Sequence, residues 1–210
     1  MRSQSEYKKR RREVAADLFV HAAEAVIAQK GFEGATMHDI AAAAGCAVGT
    51  LYLHFKNKED LFNAMVTRHC HAIAEHVAQA AEGAATPLEQ LRRRIEAMIG
   101  YFNGHREFFR IFYAAGITGR AVIASNLRGS ALRAYTDAKT LEIELTRQAQ
   151  QAGLVRRDVP AEDMVEFFHG VVTTTLARWS TAENIPSQPE QARLIWGLIS
   201  GGLGVTERKP

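Results

Sequence analysis

Residues 31–61 read GFEGATMHDIAAAAGCAVGTLYLHFKNKEDL, and this stretch decides the fold. It contains two short helix-forming segments, at 37–44 and 48–55, separated by a turn with Gly45. Glycine is favoured in such a turn because it adopts a positive φ without steric cost. Two short helices joined by a turn with glycine are typical of a helix-turn-helix, whose second helix enters the major groove of DNA.

Capping residues mark where these helices begin. Thr36 stands at the N-cap of the first segment, and Asp39 three residues later completes a variant of the capping box. Asn57 and Asp60 form a similar pair ahead of a long helix that we predict over 58–82. The stretch therefore predicts three helices with defined starts.

The second short helix has an inner and an outer face. Leu51 and Phe55 are one turn apart and are predicted to face inward together. The other side chains then face outward, with Tyr52 at the edge of the helix. The outward set is Gly49, Thr50, Leu53 and His54.

The pattern GF…T…IAAAAG…GTLYLHFKNKEDL resembles the DNA-binding domain of the TetR family of bacterial transcriptional regulators. The match runs over about thirty residues and is more specific than a generic helix-turn-helix pattern. It implies a sequence-specific, DNA-binding transcriptional regulator that binds an inverted-repeat operator as a homodimer. A ligand-responsive repressor is the leading interpretation, and an activator stays open.

The resemblance and the charge pattern together divide the chain into three segments. We expect a basic flexible arm at 1–12 and a helix-turn-helix domain at 13–61 that extends into the helix 58–82. A helical ligand-binding and dimerisation domain is expected at 62–210.

DNA contacts are expected at helix N-termini and on the outer face of the second helix. Helix N-termini attract phosphates because their free N–H groups and dipole converge there, which fits Thr36 and Lys58. Gly49 and Thr50 are expected near base edges, and Val48 can contact a thymine methyl group. By resemblance, the full set of expected DNA contacts is Thr36, Val48, Gly49, Thr50, Tyr52, His54 and Lys58.

Two positions depart from the family pattern. The turn often carries Val and then Ser in the family, whereas this chain has Cys46 and Ala47. Ala47 has no hydroxyl to cap the second helix, and a lost cap typically costs about 1 kcal/mol. The helix also lacks Arg, Asn and Gln, so we expect specificity to depend on DNA shape and on the basic arm.

The basic charge of the chain is concentrated at its N-terminus. The formal net charge is +3, but residues 1–12 alone hold six Lys/Arg and one Glu, and the rest of the chain is slightly acidic. These basic residues could enter a minor groove or act only as a solvated, long-range attractor. The candidate arm contacts are Lys9, Arg10, Arg11 and Arg12.

Composition indicates a folded, intracellular protein. A chain of 210 residues with 47% hydrophobic residues can bury a substantial core. Its two cysteines suggest a reducing compartment, and no apolar run reaches the roughly 18 residues of a membrane span. We therefore expect a soluble, cytoplasmic protein with no membrane partner.

Helical periodicity and caps predict an all-α fold of about nine helices. The clearest start is Thr86-Pro87-Leu88-Glu89, which combines a capping Thr, a Pro at the first position and a reciprocal Glu. The other predicted helices cover 13–30, 107–114, 127–152, 160–181 and 187–203, with a break at 116–119.

The family resemblance implies a small-molecule cavity and a dimer interface in the C-terminal helices, with an effector that is unknown. Large apolar residues with helical spacing could line the cavity or form the core. The candidate ligand contacts are Met98, Phe102, Phe109, Phe112, Tyr113, Phe168, His169 and Arg178. The last predicted helix has an apolar face that needs cover. The candidate interface residues are Leu194, Ile195, Leu198, Ile199 and Gly202.

Enzyme and metal functions are less favoured by the sequence. Glu166 and His169 have the Glu-x-x-His spacing of di-iron helix bundles, but no second copy of the motif occurs. His69, Cys70 and His71 are neighbours that a helix points about 100° apart, so they cannot share one ion. We expect neither enzymatic activity nor a cofactor. An architectural DNA-binding protein without a ligand stays an alternative.

Overall fold

The computed structural model describes residues 4–114 and 129–204, apart from the side chains of Ser5, Lys9 and Leu203. These residues form nine helices and no strand, which confirms the predicted all-α class. The helices are α1 (Gln4–Gly34), α2 (Met37–Ala43), α3 (Val48–Tyr52), α4 (Lys58–Ala81), α5 (Pro87–Gly104), α6 (Arg106–Ala114), α7 (Gly129–Gln151), α8 (Ala161–Thr181) and α9 (Gln188–Leu203). The chain divides into two compact units between Arg68 and His69, and α4 is continuous through this boundary.

The first unit packs α1, α2, α3 and the start of α4 around an apolar core. Its most buried side chains come from all four helices, so each helix contributes one inward face. These side chains are Phe19, Ile27, Ile40, Leu51, Leu61 and Met65.

Helix α1 begins earlier than predicted. Residues 4–12 continue the helix, whereas the sequence analysis treats 1–12 as a flexible arm. The Glu, Lys and Arg residues of this segment are good helix formers, and no Gly or Pro interrupts them. The segment is basic, as predicted, but in residues 4–12 it is a helical extension and not an irregular arm.

The buried face of α1 also differs from the prediction. Val14 and Leu18 are 64% and 53% exposed, although their helical spacing with Ala22 and Val26 predicts one buried stripe that Phe19 and Ile27 widen. Phe19, Val20 and Ala23 are buried in their place. The large ring of Phe19 removes more apolar area from water than the side chain of Val14 would, so it sets which face turns inward.

The predicted caps of the first unit are confirmed. The Thr36 hydroxyl accepts the Asp39 N–H at 3.2 Å, and an Asp39 carboxylate oxygen accepts the Thr36 N–H at 3.1 Å. Gly45 has a φ of 67°, as its turn requires. The Asn57 side chain accepts the Asp60 N–H at 2.8 Å at the start of α4.

The second unit is a bundle of the remaining helices. Helix α7 packs against α5 and α8, α9 packs against the same two helices, and α6 packs against α8. The predicted cap at Thr86 is confirmed, because Glu89 donates its N–H to the Thr86 hydroxyl, but the Glu89 carboxylate accepts from Arg93 instead of closing the predicted reciprocal pair. At the start of α9, Ser187 forms a capping box with Glu190. Residues 116–119 and 127–128, where we predicted a break and a helix start, lie outside the described residues.

Two predicted interface residues belong instead to the interior of the second unit. Ile195 and Ile199 are completely buried within the chain itself, whereas Leu194 and Leu198 are exposed. The last helix therefore has two apolar faces, and the described residues cover one of them. Over residues 4–114 and 129–204, no helix combines the length and apolar character that crossing a membrane requires.

Candidate nucleic-acid interface and candidate ligand cavity

The outer face of α3 is exposed because its inner face is held in the core. Leu51 of α3 and Phe55 are buried, as predicted, and Leu51 fixes how the helix is rotated. The helix ends at Tyr52, so Phe55 follows it and does not belong to it as the predicted segment 48–55 had it. Gly49, Thr50 and Tyr52 are exposed as a result. Leu53, at the C-cap of the helix, is 76% exposed.

Gly49 leaves open space above the helix. A Cβ built on its backbone meets no atom within 4 Å, so packing within the chain does not require a glycine here. The backbone of α3 is therefore accessible at the position where the sequence predicts the closest approach to bases.

His54 is partly engaged with the first unit. Its ring lies edge-on to Phe19, with centroids 5.0 Å apart. Burial lowers the pKa of His54, and the nearby charge of Arg12 lowers the pKa further. A neutral imidazole keeps one N–H donor, so this side chain would contact a phosphate by a hydrogen bond without a full charge.

Lys58 differs from its predicted place at the DNA surface. Its ammonium group donates to the Phe32 carbonyl at 2.6 Å and lies 4.4 Å from the centroid of the Phe32 ring. The carbonyls at the end of α1 form the negative end of a helix dipole, which explains why they attract this cation. Lys58 thus ties α4 to α1.

The described basic side chains at the start of α1 are exposed to solvent. Arg10, Arg11 and Arg12 are exposed, and the guanidinium of Arg11 lies 5.9 Å from the centroid of the Tyr7 ring. Of the predicted arm contacts, Lys9 lies on α1 but its side chain is outside the description.

A cavity of about 190 Å³ lies inside the second unit. Residues from α4 to α8 line it, and most of them are apolar or aromatic. Six of the eight predicted ligand contacts line this cavity: Met98, Phe109, Phe112, Tyr113, Phe168 and His169. Phe102 is completely buried in the core and Arg178 is exposed, so neither belongs to the lining.

One wall of the cavity carries charged residues that the sequence analysis missed. Arg94 is only 7% exposed, and its Nε lies 3.7 Å from an Oε1 of Glu142. His169 Nε2 donates to the other oxygen of Glu142 at 2.6 Å. Arg94 falls three residues after Leu91 and four before Met98, so a cation inside an apolar stripe was the available signal.

Two other polar groups of the lining are weakly acidic because they are buried. Burial raises the pKa of the Cys70 thiol to about 11. Burial also raises the pKa of Tyr113 above its ordinary value. Both side chains therefore stay neutral at physiological pH, so among the described residues of the lining the charged groups are on the wall formed by Arg94, Glu142 and His169.

The histidines of α4 have separate surroundings. His69 is buried, forms a hydrogen bond with the Tyr101 hydroxyl at 2.8 Å and stacks on Phe108. His71 is exposed and contacts the Ser130 hydroxyl at 3.0 Å.

Glu166, the carboxylate of the Glu-x-x-His motif, pairs with Lys139 at 3.1 Å.

Exposed apolar residues also lie on α8 and α9, which pack against each other. Phe167, Leu194 and Leu198 are each between 43% and 51% exposed. Gly202 lies beside Phe167, because a Cβ added there would be 2.5 Å from a carbon of the Phe167 ring. This set of four residues is called the α8–α9 face below.

Comparison with known proteins supports the reading of the first unit. Residues 19–65 match the model of the family described as bacterial regulatory proteins, tetR family. The HTH-type transcriptional activator FasR of Mycolicibacterium smegmatis is 28% identical over 117 residues, which are 56% of this chain and 53% of FasR. The chain thus spans about half the length of this relative.

Two solved structures share the fold over most of their length. The ketosteroid transcriptional regulator KstR2 of Mycobacterium tuberculosis has a TM-score of 0.70 at 22% identity, covering 94% of this chain and 96% of KstR2. FadR of Bacillus subtilis, solved in complex with stearoyl-CoA, has a TM-score of 0.74 at 20% identity, covering 88% and 97%.

The match at residues 19–65 includes α2, α3 and the turn between them, and the fold similarity continues through the second unit. Residues 19–65 are therefore similar to the tetR family of bacterial regulatory proteins, and the chain as a whole has the fold of the regulators KstR2 and FadR.

Proposed function

We propose that this protein is a transcriptional regulator that binds an inverted-repeat operator as a homodimer and responds to a small apolar ligand. The observation that carries the proposal is the exposed face of α3, within a domain that matches the family's DNA-binding model. The leading form is a repressor. As a DNA-binding regulator it would act in the cytoplasm and have no enzymatic activity.

The proposed DNA contacts combine phosphate and base recognition. Tyr52 and His54 would reach phosphate oxygens through a hydroxyl and a ring N–H. Gly49 and Thr50 would lie closest to base edges, and Val48 would meet a thymine methyl group. Thr36 lies at the N-terminus of α2, where backbone N–H groups favour a phosphate.

The basic side chains of α1 would strengthen binding without reading sequence. Arg10, Arg11 and Arg12 are exposed on a helix, so they would follow the phosphate backbone as a rigid row. Contacts of this kind release counterions and make affinity fall steeply with salt. Lys58 is left out of the proposed contacts because its ammonium group is bonded to α1.

A second copy of the chain is the proposed cover for the α8–α9 face. Phe167, Leu194 and Leu198 expose apolar surface side by side on two packed helices. Gly202 lets the Phe167 ring lie close to α9, which flattens the face. Isologous pairing of such a face across a two-fold axis would place two α3 helices against the two halves of an inverted repeat.

The cavity is the proposed ligand site. Its lining is mainly apolar, and it lies in the unit that follows the DNA-binding domain. FadR, which shares the fold, is known in complex with stearoyl-CoA. Ligand would favour one of two conformations, and it can shift their balance only by its difference in affinity for them. Helix α4 would carry the change because it is continuous through the boundary of the two units.

Selection from a random duplex library tests the DNA-binding half of the proposal. We expect the purified protein to enrich inverted repeats whose half-sites are about one helical turn, or a multiple of it, apart. Leu53→Glu should abolish enrichment by placing a negative charge on the exposed end of α3. Ala78→Glu makes the same charge change at an exposed position of α4 and should leave enrichment intact. Enrichment of no repeat, or equal enrichment by Leu53→Glu, would contradict the proposal.

A further inference from the structure

The cavity is lined by a buried cation, Arg94, with one N–H donor that no acceptor uses within the described residues. Arg94 is 7% exposed, and its Nε is buried with no hydrogen-bond partner there. The carboxylate of Glu142 lies 3.7 Å from this nitrogen, which is beyond hydrogen-bond distance for good geometry. A buried guanidinium in this state is unfavourable unless an acceptor reaches it.

Glu142 cannot fully supply that acceptor, because it is engaged elsewhere. Its other oxygen accepts a 2.6 Å hydrogen bond from His169 Nε2. An ionised carboxylate only accepts, so the proton of this bond is on His169. The position of Glu142 is thus set by His169, and Arg94, which lines the cavity, keeps a buried Nε–H that no described acceptor bonds.

From this wall the geometry points to the chemical class of the ligand: a compact apolar monocarboxylate whose carboxylate accepts hydrogen bonds from Arg94. This inference rests on the proposed ligand site and specifies what it binds. The guanidinium fork matches a carboxylate better than it matches a single carbonyl or hydroxyl oxygen. Apart from this wall, the lining offers the ligand almost only apolar and aromatic contacts.

The size and shape of the cavity restrict the apolar part. Its volume of about 190 Å³ exceeds the roughly 150 Å³ of an engineered cavity that binds benzene. It is smaller than the roughly 300 Å³ at which sites for drug-sized ligands begin. Phe109, Phe112 and Phe168 offer ring faces and edges for an aromatic group. One ring on a short acid chain fits this volume.

Calorimetric titration of the full-length protein with three matched probes tests the inference. The probes are 3-phenylpropanoate, its methyl ester and 3-phenylpropan-1-ol, which share one apolar body. We expect the carboxylate to bind at least about tenfold more tightly than the other two, as hydrogen bonds to a charged group imply. Equal binding of ester or alcohol, or no binding by any probe, overturns the inference.

Three variants test whether Arg94 and Glu142 cause the preference for the carboxylate probe. Arg94→Met should remove the preference for the carboxylate while still binding the ester. Arg92→Met, a matched change on the exposed side of α5, should preserve the preference for the carboxylate. Glu142→Gln should tighten carboxylate binding, because it removes a competing negative charge. A role of Glu142 in folding alone would weaken binding instead, so the sign of this change is decisive.

These outcomes are separate from those of the DNA-binding proposal. Calorimetry contains no DNA, so a protein that binds no operator can still show the carboxylate preference. Should Arg94→Met fail to fold, the probe series on the unmodified protein and the Glu142→Gln variant still decide. A protein that enriches an inverted repeat but prefers the alcohol would keep the proposed function and overturn the ligand class.

Discussion

The imidazole of His69 lies flat on the ring of Phe108, with centroids 3.7 Å apart and planes 13° from parallel. Phe108 lines the cavity, and His69 is the first residue of α4 within the second unit. In the proposed function, a ligand that displaces Phe108 would therefore act on α4, which begins in the first unit. Cys70 of α4 lines the cavity itself, so this stacked pair is a second contact between the cavity wall and α4.

Phe108→Leu should loosen α4 around His69. Loss of the stacked ring removes about 0.5–1.5 kcal/mol of local interaction, so amides near His69 should exchange about two- to tenfold faster. Hydrogen-exchange mass spectrometry measures this. Phe112→Leu is the matched control, because Phe112 lines the same cavity and its ring neighbours are Phe108 and Tyr113. Equal exchange around His69 in both variants would contradict the role of the stacked pair.

Gly49→Ala should weaken DNA binding without destabilising the fold. The added methyl group meets no atom of the chain, and Ala is favoured over Gly in a helix by up to about 1 kcal/mol. Against DNA the same methyl group would hold the backbone away from base edges. We expect operator affinity, measured by fluorescence anisotropy, to fall about fivefold or more while the unfolding midpoint stays or rises. Unchanged affinity would remove Gly49 from the base-contact set.

Leu198→Glu should convert the protein to monomers. A carboxylate on the α8–α9 face would be buried without a partner in a dimer, but it stays solvated in a monomer. Sedimentation velocity reports the change in mass. Leu53→Glu is the control, because it makes the same substitution at another exposed leucine, in the DNA-binding unit. A dimer that survives Leu198→Glu would place the interface elsewhere.

The features that sequence predicts well here are local ones. Thr36 and Asp39, three residues apart, form a hydrogen bond, and Gly45 has the positive φ that its own turn requires. Neither depends on how distant helices pack, so both could be predicted from spacing. The burial of Leu51 and Phe55 could also be predicted, because these large apolar residues are one helical turn apart in the sequence.

The features that sequence missed depend on competition between faces or on distant partners. Helix α1 has enough apolar residues for two overlapping stripes, and in the folded unit Phe19 is buried whereas Val14 is exposed. Helix α9 has the same ambiguity, which packing resolves by burying Ile195. Arg94 and Glu142 lie on different helices, and their approach could not be read from either helix alone. For these residues the deciding contact is absent from the local sequence.

Acid should weaken the α2 cap in a defined pH window. Hydrogen bonding to Lys30, and then to Thr36, lowers the pKa of Asp39 to about 2. Because the pKa is depressed in the folded state, the stabilisation is fully present above the unfolded value of about 4. It is lost as pH falls from about 4 through about 2.

Denaturant unfolding of the unmodified protein and of Asp39→Asn measures this window. The difference in free energy of unfolding between the two should be constant from pH 7 to about 5 and should shrink toward pH 2. Asp158→Asn is a useful comparison, because Arg156 likewise lowers the pKa of Asp158 to about 2, in the second unit. A difference for Asp39→Asn that stays constant down to pH 2 would exclude a depressed pKa.

Cys70 should report the contents of the cavity through its reactivity. Burial raises the pKa of its thiol to about 11, so little thiolate is present at pH 8. In a Cys46→Ser background, alkylation by iodoacetamide should be at least about tenfold slower than in the unfolded chain. Its rate should rise steadily up to about pH 10, and a plateau near pH 9 would contradict the raised pKa. Because Cys70 lines the cavity, 3-phenylpropanoate should slow the reaction further, and the alcohol should do so only at higher concentration.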